Sequence, residues 1–137
     1  MSTFLLEIVT PVQVAFTSLV EMVTVPSADG TLGILPRHIS LFSQLVEGEL
    51  KIKTGKDELY LAIGGGFIEV TKEKVMILVT RAVNALQLNE QEIVEAKQRA
   101  EIALKNKPSG ASLVSVQTLL QQSITDLKIL RRRKLHH

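Results

Sequence analysis

The hydrophobic period of this chain changes once, near Leu88, and that change limits the possible folds more than any single motif. Before it, short runs rich in β-branched residues are separated by turn signals; after it, apolar residues recur every three to four positions. "FLLEIVT" (4–10), "SLVEMVTVP" (18–26), "GELKIKT" (48–54), "ELYLAIGGGFIEV" (58–70) and "KVMILVT" (74–80) read as strands. In the third, Leu50 and Ile52 point one way and Lys51 and Lys53 the other. Thr54-Gly55-Lys56-Asp57 reads as a hairpin turn, and Thr71-Lys72-Glu73-Lys74 is turn-like. Strands this closely spaced, with no helices between them, predict an antiparallel sandwich or barrel.

From Asn89 the signals are helical. Asn89 and Glu92 form a capping box, and Ile93, Ala96, Ala100 and Ala103/Leu104 follow at helical spacing. Pro108-Ser109-Gly110 ends this helix. A second helix carries Leu113, Val116, Leu120, Ile124, Leu127 and Leu130 on one face, which the small alanines of the first helix allow to approach closely. The expected fold is α+β: an N-terminal antiparallel β-sandwich over residues 1–87, then a C-terminal two-helix antiparallel hairpin over residues 88–137. A two-helix hairpin has little core of its own, so it needs the sandwich or a partner to lie on.

The 45% hydrophobic content is ample for a core, but the aromatics are only Phe4, Phe16, Phe42, Tyr60 and Phe67, so that core must be aliphatic. The net charge of +2 is unevenly spread. Residues 1–87 carry seven Lys/Arg against nine Asp/Glu, and residues 88–137 carry nine against five, with Lys128, Arg131, Arg132, Arg133 and Lys134 close together. A basic end of this kind suits an acidic protein surface, an anionic membrane or nucleic acid, or is simply a solvated helix terminus. Nucleic acid is disfavoured because no aromatic lies nearby for base stacking. Membrane insertion is disfavoured because no apolar run nears the ~20 residues of a span. The chain has no cysteine, which excludes disulfides and thiol chemistry. No basic segment precedes an apolar run at the N-terminus, so no signal peptide is expected and a cytoplasmic site is.

Catalytic and metal-binding signals are weak. His38 has no companions at ligand spacing, His136 and His137 close the chain, and no nucleophile-elbow sequence occurs. Gly64-Gly65-Gly66 is followed by Phe67-Ile68-Glu69-Val70, a strand rather than the helix that a phosphate loop requires. A strand bulge or a close backbone approach explains these glycines better. The residues alone therefore point to a binding or regulatory subunit, without metal or cofactor, rather than an enzyme.

Pro26-Ser27-Ala28-Asp29-Gly30-Thr31-Leu32-Gly33-Ile34-Leu35-Pro36-Arg37-His38 closely resembles the loop motif of the epsilon subunits of rotary proton-translocating ATP synthases. Gly64 to Val70 resembles that family's second signature, and Glu95-Ala96-Lys97-x-Arg99-Ala100 its first helix. The resemblance covers essentially the whole chain. It implies a non-catalytic rotor part on the cytoplasmic face of the membrane, peripheral and not inserted. The sandwich would bind the gamma subunit and the ring of c subunits through the loop residues Gly30, Gly33, Ile34, Leu35, Arg37 and His38. The hairpin would regulate: folded down, or extended into the alpha/beta head as a brake on ATP hydrolysis. Arg99, Lys128, Arg131, Arg132, Arg133 and Lys134 would carry that contact.

Some members also resemble one another in a nucleotide motif on the hairpin, and here this chain departs. The corresponding stretch reads Leu88-Asn89-Glu90-Gln91-Glu92-Ile93, with Asn89 for the family's aspartate and Glu92 for its arginine; only the later Arg99 remains. ATP binding is expected to be weak or absent. The alternative reading is a free-standing module whose basic helix meets RNA or an anionic membrane; an enzyme using His38 ranks last.

Overall fold

The computed structural model describes residues 2–134 and divides into two compact units, one ending at Asn84 and the other beginning at Ala85. His136 and His137 lie outside the described residues.

The first unit consists of ten strands: β1 (Phe4–Val9), β2 (Val14–Val20), β3 (Met22–Ser27), β4 (Gly30–Ile34), β5 (Leu41–Leu45), β6 (Gly48–Thr54), β7 (Asp57–Ile63), β8 (Gly66–Val70), β9 (Lys74–Val79) and β10 (Ala82–Asn84). Hydrogen bonding runs β10-β7-β6-β3-β5-β8-β9-β1-β2, with β4 also paired to β3. The link between β3 and β5 is a single residue pair, Ser27 with Leu45, so the sheet falls into two halves facing a common core. That core includes Leu6, Ile8, Val23, Leu50, Ile52, Ile68 and Ile77, all at most 1% exposed, and every fully buried member is aliphatic. Strict alternation builds it: β3 and β9 bury every second residue over most of their length. Each such side chain contributes about 1.5–3 kcal/mol.

The sheet differs from the sequence expectation in several respects. Residues 18–26 are not one strand: the chain leaves β2 at Val20 and enters β3 at Met22, crossing from one half of the sheet to the other at Glu21. Residues 58–70 likewise split into β7 and β8, because Gly64 and Gly65 carry the chain from the β6 side to the β9 side. Residues 30–34 of the expected loop form a strand, in register with β3 from Val23↔Ile34 to Ser27↔Gly30. One pair in the sandwich, β1 with β9, is parallel.

In the second unit a 3₁₀ turn (Ala85–Gln87) precedes α1 (Glu90–Lys105) and α2 (Gly110–Lys134). Asn89 Oδ1 accepts from the Glu92 backbone N–H at 3.1 Å and closes the N-terminus of α1. Ile93, near the start of α1, clusters with Leu127 and Leu130, near the end of α2, so the helices run antiparallel. Lys107 turns the chain between them with φ 50°.

Candidate partner-docking surfaces

The loop motif folds into a hairpin and a corner. Ala28 and Asp29 join β3 to β4; the Ser27 hydroxyl donates to the Gly30 carbonyl and accepts from the Asp29 N–H. Gly30 sits at φ 117°, in the region that glycine occupies without penalty. Gly33 lies against the Met22 side-chain methyl, 3.0 Å from where a Cβ would stand. Beyond β4, residues 35–38 turn sharply, with the His38 N–H donating to the Leu35 carbonyl at 3.2 Å. Pro36 stands second in this turn and Arg37 third, at φ 65°. The His38 Nδ1 lies 2.7 Å from the Ile39 carbonyl, which can only accept, so Nδ1 carries the proton.

Of the six loop residues named from the sequence, one is corrected by its burial. Ile34 is 0% exposed and belongs to the aliphatic core, because β4 pairing turns it inward; it offers a partner no contact. Leu35, at 55% exposed, offers apolar surface, as does Ile39 at 78%. Gly30, Gly33 and Arg37 are exposed and His38 is half-buried.

A second surface was not singled out from the sequence. On the outer face of β8, Phe67 is exposed while its neighbour Ile68 is buried. Phe67 pairs across strands with Leu78, Leu78 with Val9, and Val9 with Val14. Phe42 of β5 stacks on Phe67 with ring centroids 5.5 Å apart. Phe42, Phe67, Leu78 and Val14 are all exposed and Val9 is half-buried, so an apolar row crosses five strands toward solvent. The alternation Gly66-Phe67-Ile68-Glu69-Val70 carries the signal, whereas Leu41-Phe42-Ser43-Gln44-Leu45 shows no clear strand pattern around Phe42.

The glycine triplet is packed, not open. A Cβ on Gly66 would fall on the Leu78 carbonyl, and one on Gly64 on the Thr80 hydroxyl. Gly64 N–H donates to the Arg81 carbonyl and Thr80 N–H to the Gly65 carbonyl, so this stretch stitches backbone to backbone.

On the hairpin, Lys128, Arg131 and Arg132 are exposed and Arg133 is half-buried, while Lys134 ends α2. Arg131 Nε lies 3.8 Å from Glu90 Oε1 at the start of α1, a long and solvated pair that contributes little. Leu88 is half-buried, the Asn89 side chain is engaged as the cap, and Glu92 and Arg99 are exposed. Among the described residues no group of three metal-ligating side chains occurs, and no helix is long and apolar enough to cross a membrane.

Known proteins share this arrangement. Residues 3–85 match the family model described as ATP synthase, Delta/Epsilon chain, beta-sandwich domain. The ATP synthase epsilon chain of Dehalococcoides mccartyi is 34% identical over 137 residues, covering 99% of this chain and 98% of that one. The sodium-ion-specific ATP synthase epsilon chain of Propionigenium modestum is 34% identical over 140 residues, covering 100% and 99%. In the cryo-EM structure of the Euglena gracilis mitochondrial ATP synthase (OSCP/F1/c-ring, rotational state 1), one chain superposes with TM-score 0.70 at 20% identity, covering 99% of this chain and 82% of its own length. That last likeness speaks for the fold. With the sandwich matched as a domain and the relatives aligned from end to end, this chain belongs to the family of ATP synthase epsilon chains.

Proposed function

We propose that this chain is a rotor part of a membrane-bound ATP synthase, with no chemistry of its own. Its sandwich joins the gamma subunit and the c ring in the central stalk, at the cytoplasmic face of the membrane. Its hairpin restrains ATP hydrolysis when it reaches the alpha/beta head, with Arg99 and the basic end of α2 meeting acidic surface there.

The observation that carries the docking half of this reading is the row Phe42, Phe67, Leu78 and Val14. An isolated exposed apolar residue needs no explanation, but a row across five strands in a chain of so few aromatics marks an interface. Covering Phe42, 65% exposed when free, and Phe67, 46% exposed, contributes on the order of 1–2 kcal/mol each. The corner at Leu35, Arg37 and His38 adds a stiff turn, whose proline lowers the ordering needed on docking.

No step here requires a nucleotide. Asn89 is engaged as a cap, and Glu92 sets a negative charge where the family motif has a positive one. At ~4 Å in high dielectric, exchanging attraction for repulsion shifts binding by ~2 kcal/mol.

The test is association of the full chain with an epsilon-depleted catalytic head that retains gamma. Phe42→Ser with Phe67→Ser is expected to weaken it by at least tenfold without loss of fold, since both rings face solvent. Undiminished association would remove the apolar row from the interface.

A further inference from the structure

The corner at residues 35–38 also forms one wall of a cleft in the first unit. A cleft of about 500 Å³ opens between residues 35–40, the start of β1 and the turn at residues 71–74. Phe4 and Val75 give it an apolar wall, and Arg37, His38, Lys72 and Lys74 line it, with no carboxylate among the lining side chains described. Lys74 is already held by Glu7 at 3.0 Å. Arg37 and Lys72 make no ion pair among the described residues, although both border the same cavity.

The backbone singles out Arg37. It occupies the third position of its turn at φ 65°, a conformation that glycine or asparagine adopts far more readily than a long side chain does. A strained residue persists where the surrounding structure or a ligand uses it, and here the strained residue borders the cleft.

We propose that this cleft binds a phosphate-bearing anion through Arg37, His38 and Lys72. The planar guanidinium matches two phosphate oxygens at once, and Lys72 adds a compact charge. His38 has its Nδ1 proton committed to the Ile39 carbonyl, and Nε2 becomes a second donor only when the ring gains a proton. The cleft exceeds the size of a bare phosphate, and its Phe4–Val75 wall suits the carbon body of the ligand. That ligand is either a soluble phosphate ester or an anionic lipid headgroup; the chemistry at the three side chains is common to both. The site shares Arg37 and His38 with the proposed docking corner, so it is open in the free chain and the two uses compete.

Amide NMR of the full, isolated chain tests this, first with inorganic phosphate at constant ionic strength, then with vesicles of phosphatidylcholine alone or mixed with phosphatidic acid. Saturable shifts centred on Arg37, His38 and Lys72 are expected. The variant Arg37→Asn with Lys72→Gln, which keeps a residue suited to the turn, should bind roughly tenfold more weakly. Lys56→Gln, in the β6–β7 turn, should bind as the parent does. Saturation by phosphate but not by vesicles supports a soluble ligand; binding of only the acidic vesicles through the same residues supports a headgroup. Shifts that do not saturate with either probe, or that Lys56→Gln diminishes as much as the cleft variant, overturn the proposal. Because gamma is absent, failure here leaves the docking reading untouched.

Discussion

Gly66 shows how much a missing side chain can decide. Its Cα passes so near the β9 backbone that a methyl group would land on the Leu78 carbonyl, an atom that cannot rotate away. Gly66→Ala is therefore expected to lower stability by about 3 kcal/mol or more, read by urea unfolding, because relief requires moving a strand. A loss below ~1 kcal/mol would mean that β8 and β9 are not so closely apposed. This glycine was legible in the sequence as a close approach, since the residues after it continue as a strand. Ile34 was not legible: a β-branched residue between Gly33 and Leu35 reads equally as exposed loop or buried strand, and only pairing with Val23 settles that it turns inward.

The secondary structure elements differ in how openly the sequence announces them. The helices were plain because a 3.6-residue period, a cap and a Pro-Ser-Gly stop all agree, and Ile93, Leu127 and Leu130 do cluster. Strand ends were not plain. Hydrophobic continuity across Glu21 and through Gly64-Gly65 concealed two crossings between halves of the sheet, because periodicity reports burial and not partnership. β4 and β5 escaped because Gly30 and Gly33, and the polar Ser43-Gln44, weaken a strand signal that pairing with β3 and β8 restores. Two predictions concern α1. Asn89→Ala removes the acceptor for the Glu92 N–H and should destabilise the hairpin by ~1 kcal/mol, seen as a lower helical melting midpoint. An unchanged midpoint would assign the cap no weight. Calorimetry of ATP against the full chain should detect no micromolar binding, given Asn89 and Glu92 where the family motif carries Asp and Arg. A micromolar constant would show that Arg99 and the rest of the hairpin suffice.

Across the whole chain the two units divide the work that the proposed function requires. The sandwich offers apolar rows and a stiff corner, surfaces suited to permanent attachment; α2 ends in exposed cations, suited to a contact that salt and conformation modulate. Exposed charges are screened over ~8 Å at physiological ionic strength, so a brake built on them should weaken as salt rises. The deciding experiment measures ATP hydrolysis by an epsilon-depleted head containing gamma, titrated with the full chain, with residues 1–87, and with the chain neutralised at Arg131, Arg132 and Arg133. If the sandwich anchors and the hairpin brakes, all three bind, the full chain slows hydrolysis, residues 1–87 do not, and the neutralised chain slows it less. Equal hydrolysis rates with all three bound would contradict the brake, and failure of all three to bind would contradict the rotor assignment itself.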